Sequence, residues 1–181
     1  MPSFFVTGQP GIGKTTIVIK VVDMLRMKGF KVGGMMTREV REEGRRVGFE
    51  VMDIASGRTG WLAHIDNPEG VKIGKYRVNK RDLEEIGVNA LLKALEEADL
   101  IICDEIGPME LTSQRFRGAV EEILASDTPV LGTLHIKYAD GSLPELGKAE
   151  ELTIYLATQE NRDALPLILM REILKRVGRG G

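Results

Sequence analysis

The chain has 181 residues, 43% hydrophobic and 29% charged, a balance that suits one globular domain with a substantial core and leaves too little length for two. Its formal net charge of -2, with acids and bases interleaved, argues against a nucleic acid or an anionic membrane held by bulk electrostatics. A single cysteine excludes an internal disulfide framework and a cysteine-based zinc site; with no secretory-leader pattern near Met1 and no apolar run near the ~20 residues of a membrane span, a cytoplasmic address is expected.

"SFFVT" (3–7) reads as a short buried strand that runs into the glycine-rich stretch "GQPGIGKTT" (8–16). "TTIVIKVVDMLRMK" (15–28) has apolar residues at helical spacing, and Gly29 supplies a stop. "FKVGGMMTREV" (30–40) predicts a second strand. "RRVGFEVMDIA" (45–55), "TGWLAHI" (59–65) and "KYRVN" (75–79) alternate and are broken by turn residues, which predicts an antiparallel excursion over about 39–79 within a single domain.

"KRDLEEIGVNALLKALEEA" (80–98) has a helical apolar period, with Asn79 as its N-cap. "DLIICDEIG" (99–107) is a continuous apolar run ending in two acids, the pattern of a central parallel strand. A helix over 113–126, strands over 128–135 and 151–158, and a closing helix over 162–178 with Pro166 near its first turn complete the alternation. This order predicts a doubly wound α/β domain with a parallel core.

Residues 8 to 15 satisfy G-x-x-x-x-G-K-[ST] through Gly8, Gly13, Lys14 and Thr15. Glycines let successive backbone N–H groups converge on phosphate oxygens, and the following helix adds its partial positive charge. Lys14 is placed to reach the β- and γ-phosphates, and the Thr15 hydroxyl to ligate Mg²⁺. At the end of the apolar strand, Asp104 is the second expected Mg²⁺ ligand, and Glu105 the carboxylate that orients or deprotonates an attacking water.

Glu110 is either a second water-positioning carboxylate or an acid at a helix start, and His135 reads as a hydrogen-bonding surface residue near the same strand ends. Cys103, inside the apolar run, reads as a buried core residue. "DEIG" and "NKRD" mimic the motifs of GTPases but occur in the reverse order, so guanine specificity has no support.

These motifs have a familiar arrangement. "VTGQPGIGKTT", "TREVREEGRRVGFEV", "LIICDEIGPMEL", "VLGTL" and "ATQENR" resemble, in order and spacing, a family of small nucleoside-triphosphatases that includes human cancer-related nucleoside-triphosphatase and thermophile homologues. The resemblance implies a P-loop domain with an added strand between the two motif strands and a catalytic glutamate. It implies Mg²⁺-dependent hydrolysis of nucleoside triphosphates with loose base choice.

Carried over residue by residue, the resemblance assigns nucleotide binding to the loop Gly8, Gln9, Pro10, Gly11, Ile12, Gly13, Lys14, Thr15 and Thr16. It also assigns it to Leu100, Ile101, Ile102, Cys103, Asp104, Glu105, Ile106 and Gly107, and adds Asn161 and Arg162 near the base or ribose. Catalysis would rest on Lys14, Glu105 and Glu110, and the metal on Thr15 and Asp104. Where the family often reads "TEEVR", this chain carries Arg38 in place of an acid.

A monomer acting on a nucleoside triphosphate is expected. Arg45, Arg46, Arg77 and Arg162 are the candidate arginines for stabilising developing charge, and the sequence does not rank them. The alternatives are a nucleotide or small-molecule kinase, disfavoured by an arginine-free "YADGSLPELGKAEE", and a nucleotide-gated binding module using Met35, Met36 or Trp61.

Overall fold

Neighbouring residues of a strand face opposite sides of a sheet, and the first strand, β1 (Ser3–Thr7), divides its aromatics accordingly. Phe5 enters one hydrophobic core, while Phe4 and Val6 enter another. The computed structural model describes residues 3–143, 146 and 152–177. From β1 the chain continues through α1 (Lys14–Met27), β2 (Val32–Glu42), β3 (Arg45–Asp53) and β4 (Thr59–His64). β5 (Lys72–Ile73), β6 (Tyr76–Val78), α2 (Lys80–Asp82), a π turn (Leu83–Val88) and α3 (Asn89–Glu97) follow. The last part is β7 (Leu100–Ile106), α4 (Gln114–Ala125), β8 (Val130–Leu134), β9 (Leu152–Leu156) and α5 (Leu165–Val177).

Among the described residues, the strands form one sheet in the order β5-β6-β4-β3-β2-β7-β8-β1-β9. The run β2-β7-β8-β1-β9 is parallel throughout, and β8 separates β1 from β7. α1 and α5 cover one face through Val18, Val21, Leu25, Leu169 and Ile173. α3 and α4 cover the other through Leu91, Ala94, Phe116, Val120 and Ile123. β7 serves both layers, with Leu100 and Ile102 on the first side and Ile101 and Cys103 on the second.

The expected antiparallel excursion is built by β3, β4, β5 and β6, paired outward from β2. β2 joins the two halves of the sheet. Val32 to Met35 pair with β7 in parallel, and Met35 to Glu42 pair with β3 antiparallel. Gly34 stands at the seam with φ of 107°, and a Cβ there would lie 2.1 Å from the Ile102 carbonyl oxygen, so only glycine fits.

The helix predicted over 80–98 is present with an internal difference. Asn79 accepts from the Asp82 N–H at 3.1 Å, the expected cap, but the stretch Leu83–Val88 takes the wider π turn. Its buried positions explain the difference: Leu83, Gly87 and Leu91 recur every fourth residue, as do Ile86, Ala90 and Ala94. Repeats of four drift around a helix of ~3.6 residues per turn, and one wider turn returns them to the sheet. The closing helix also begins later than predicted, at Leu165, because Asn161 Oδ1 accepts from the Thr158 N–H at 2.7 Å and holds the preceding residues in a turn.

Candidate active site

β1 ends at Thr7 and the chain turns back through the loop Gly8–Gly13 into α1. Gly11 and Gly13 have φ of 81° and 107°, conformations open to glycine at little cost, and Gly13 is the residue from which α1 springs. Lys14 and Thr15 are thereby delivered at the start of the helix, facing the ends of β7 and β8.

β7 delivers the acids. Its pairing with β8 slips between Cys103 and Ile106, so the segment carrying Asp104 and Glu105 leaves the regular ladder; the peptide bond joining these two residues is cis. Asp104 is 1% exposed. Its Oδ2 accepts from the Thr15 hydroxyl at 2.9 Å, and its Oδ1 from the Thr133 hydroxyl on β8 at 2.6 Å. Burial pushes the Asp104 carboxyl up to about 6; the Thr133 hydrogen bond opposes this, and the Glu105 charge adds to it. Glu105 Oε2 lies 3.0 Å from Lys14 Nζ, which also donates to the Leu134 carbonyl at 3.5 Å.

Glu110 opens the single turn Glu110–Thr112 and is 4% exposed. Burial, with the Glu105 charge second, raises its carboxyl well above the ordinary carboxylate range. The two acids thus stand in different environments, Glu110 buried and Glu105 paired with Lys14. They meet over Gly107, where a Cβ would stand 2.9 Å from Glu105 Oε1 and 3.1 Å from Glu110 Oε2. Gly107→Ala must therefore displace both carboxylates. The expected result is a loss of turnover of ~10²-fold with MgATP affinity nearly unchanged, read by phosphate release alongside a binding titration.

A cavity of about 330 Å³ gathers Lys14, Thr15, Asp104, Glu105, Glu110 and His135, with Pro10 and Gly11 at its loop edge. Leu100, Ile101, Ile102 and Cys103 do not line it. They are fully buried in the two cores, and β7 serves the site through the acids at its end. The Cys103 thiol is pushed up by burial and by the Glu110 charge, which fits an inert core residue. Ile106 is likewise buried. Gln9 and Thr16 are exposed on the loop and first helical turn.

Asn161 and Arg162 lie away from the cavity. The Asn161 side-chain amide donates to the Leu156 carbonyl at 2.8 Å, and Arg162 donates to the Ile12 carbonyl at 3.3 Å, tying this segment to the phosphate loop. Of the four arginines singled out in the sequence, Arg46 alone lines the cavity. Arg77 instead donates to the Gly70 carbonyl at 3.1 Å. His135 accepts from the Lys137 N–H at 3.2 Å, as expected of a hydrogen-bonding residue, and also reaches the cavity wall. Met35 and Met36 are core residues rather than a partner face. Within the segment Tyr138 to 151, residues 144, 145 and 147–151 lie outside the described residues.

Thr133 was not anticipated, yet a polar residue inside the apolar run "VLGTL" is a signal for it. Phe49, Leu62, Ile73 and Met109 also line the cavity; Phe49 and Met109 lie within motifs quoted above, but nothing in those motifs assigns them to the site.

The model of the NTPase family matches residues 3–170, and the chain belongs to that family. The nucleoside-triphosphatase THEP1 of Thermofilum pendens is 48% identical over 178 residues, with 98% of each chain covered. That of Methanosarcina acetivorans is 47% identical over 174 residues, covering 96% of this chain and 97% of the relative. The crystal structure of THEP1 from the hyperthermophile Aquifex aeolicus matches with a TM-score of 0.79 at 29% identity, over 94% of this chain and 98% of that one. The solution structure of a human cancer-related nucleoside triphosphatase matches with a TM-score of 0.79 at 30% identity, over 97% and 98%. These matches bear out the resemblance read from the motifs.

Proposed function

We propose that this nucleoside-triphosphatase cleaves the β–γ phosphoanhydride of its substrate in the presence of Mg²⁺, with water oriented by Glu105, to give a nucleoside diphosphate and phosphate. The observation that carries the reading is the convergence of Thr15 on Asp104 and of Lys14 on Glu105, at 2.9 and 3.0 Å, at the head of one helix. Lying between β1 and β7, β8 supports a P-loop domain of the added-strand, catalytic-glutamate class, and continuous sheet pairing supports one domain.

The donors suit the metal. Mg²⁺ is held by one or two protein oxygens, with water and substrate phosphate supplying the rest. Thr15 and Asp104 provide such a pair, and among the described residues no cluster of three or more His, Cys, Asp or Glu forms a dedicated cage. When bound, Mg²⁺ neutralises charge on the β- and γ-oxygens.

Lys14 exchanges the Glu105 carboxylate for the terminal phosphate, because a phosphate offers more charge and more acceptors to the same ammonium. Glu105, released, holds the attacking water and takes its proton. Glu110, buried beside Glu105 with its carboxyl raised above the ordinary range, leaves the Lys14 ion pair to Glu105.

Loose base choice follows from the way Asn161 is occupied. Its carbonyl oxygen accepts from Thr158 and its amide donates to Leu156 at the end of β9, so neither is left to read a base, and Arg162, exposed and held to the Ile12 carbonyl, offers a cation without base preference. A monomer in the cytoplasm completes the reading; no helix among the described residues is long and apolar enough to cross a membrane. The test is phosphate release from ATP, GTP, CTP and UTP, with Mg²⁺ and with a chelator. Rates within roughly one order of magnitude of each other, all lost on chelation, are expected. Undiminished release with chelator would remove the metal from the mechanism.

A further inference from the structure

The terminal phosphate and its metal take the end of the cavity lined by Lys14, Thr15 and Asp104, and the attacking water beside Glu105 needs about 30 Å³ more. The cavity holds about 330 Å³ and reaches the antiparallel strands, a size at the lower end of small-molecule pockets (~300–1,000 Å³). Its apolar lining includes Phe49 on β3, Leu62 on β4, Ile73 on β5 and Met109 beyond β7. Such a wall grips neither water nor polyphosphate. Asn161 and Arg162, the residues set aside for the nucleoside, do not border this wall. None of the residues assigned above to the nucleotide or to hydrolysis contributes to this apolar half of the cavity.

Two arginines, each paired with a glutamate, also border the cavity. The Arg46 guanidinium stands 5.7 Å from the Phe49 ring centroid and 3.4 Å from Glu39, and Arg38 meets Glu50 at 2.6 Å. The Arg46–Glu39 pair is solvated on both sides, 42% and 43% exposed, and holds weakly enough for an entering carboxylate to displace it, whereas Arg38 grips the less exposed Glu50 through two nitrogens. A charged rim, an aromatic and aliphatic wall and a carboxylate at the reacting end describe the complement of one ligand class.

We propose that this wall is the acceptor half of a two-substrate site: a small organic acid with an aromatic or branched apolar body and a free hydroxyl binds there and takes the γ-phosphoryl group in place of water. The hydroxyl oxygen forms a bond to the γ-phosphorus as the bond from that phosphorus to the β–γ bridging oxygen breaks. The nucleoside diphosphate leaves with the electron pair, and the hydroxyl proton passes to the Glu105 carboxylate. The products are a phosphate monoester and a nucleoside diphosphate, with no change of oxidation state. The proposal rests on Glu105 acting beside the terminal phosphate, as argued above.

Phosphorus NMR of the full chain with MgATP distinguishes the outcomes, using 3-phenyllactate as acceptor and glycerate as a hydroxy acid without the apolar body. A phosphate monoester of phenyllactate is expected, formed at least ~10-fold faster than that of glycerate, with ADP in equal amount; tenfold is a modest demand on one buried ring. Phe49→Ala should raise the phenyllactate KM at least ~10-fold while phosphate release without acceptor is unchanged; Ile73→Ala serves where Phe49→Ala fails to fold. ATP that yields only inorganic phosphate in the presence of phenyllactate overturns the acceptor site and leaves the hydrolase reading standing. Ester formed equally well by both variants also overturns it. A chain that consumes no ATP with or without acceptor overturns both readings.

Discussion

Glu105→Gln lowers the rate of phosphate release by ~10²–10⁴-fold, the range of a positioned general base, and leaves MgATP binding at least as tight as before. Two contributions act in opposite directions. The amide cannot take the proton of the attacking water, so the chemical step slows. The same change removes the anion that holds Lys14 at 3.0 Å, so the ammonium is offered to the triphosphate without first leaving a partner. Tighter binding with lost turnover is a signature that a merely structural glutamate does not give. Lys14→Ala should show the reverse, weak binding first. Single-turnover phosphate release and a titration with a fluorescent nucleotide separate the two parameters. Near-normal turnover in Glu105→Gln would transfer the base to Glu110, which lies across Gly107, or to His135 on the same wall.

Much of this arrangement was legible before any coordinates because its physics is local. The loop from Gly8 to Thr15 declares itself through residues whose backbone freedom and side chains are needed within eight consecutive positions. Asp104 and Glu105 declare themselves because two acids closing an apolar run can only stand at a strand end. Glu110 remained ambiguous for the opposite reason: whether it starts a turn in solvent or sits buried against Glu105 depends on how "GPMEL" folds over the sheet. It opens a turn, but one buried against Glu105 at 4% exposure.

The cavity wall was hidden more deeply. Phe49, Leu62 and Ile73 come from three strands, and their convergence depends on antiparallel register, including a slip between Phe49 and Glu50 opposite β4. A one-residue change of register would turn every such side chain to the other face. Nor could composition choose among the arginines, since all are exposed charges in sequence terms; only the pairing of β2 with β3 brings Arg46 to the mouth of the cavity. The π turn was partly legible, as its four-residue spacing is written in the chain, but an ordinary helical period describes most of the same residues.

Asp104→Asn is expected to destroy Mg²⁺-dependent turnover and, in metal-free buffer at neutral pH, to make the protein more stable. The folded Asp104 carboxyl titrates at about 6, above its ordinary 3.8, because burial opposes the charge more than Thr133 and Thr15 support it. Between those two values the folded protein keeps a proton that the unfolded chain has lost. The stabilising contribution is therefore complete below about 3.8 and is lost as the pH rises through about 6. Above that range the metal-free fold carries a buried charge only partly compensated by its hydrogen bonds, costing ~3 kcal/mol. The asparagine variant has no such charge. Its carbonyl oxygen still accepts from one threonine, while the other hydroxyl must turn, which offsets part of the gain. A rise in Tm of several degrees at pH 7.5, roughly 2–4 °C per kcal/mol for a chain of this size, should shrink towards zero as the buffer approaches pH 4. Adding Mg²⁺ with nucleotide should reverse the ranking, because only the wild-type carboxylate gains the ligand's stabilisation. Differential scanning calorimetry at both pH values, with and without MgATP, reads all four states. A variant less stable than wild type by the same margin at both pH values would mean that the carboxylate serves the fold through its two hydrogen bonds and carries no penalty waiting for a cation to relieve.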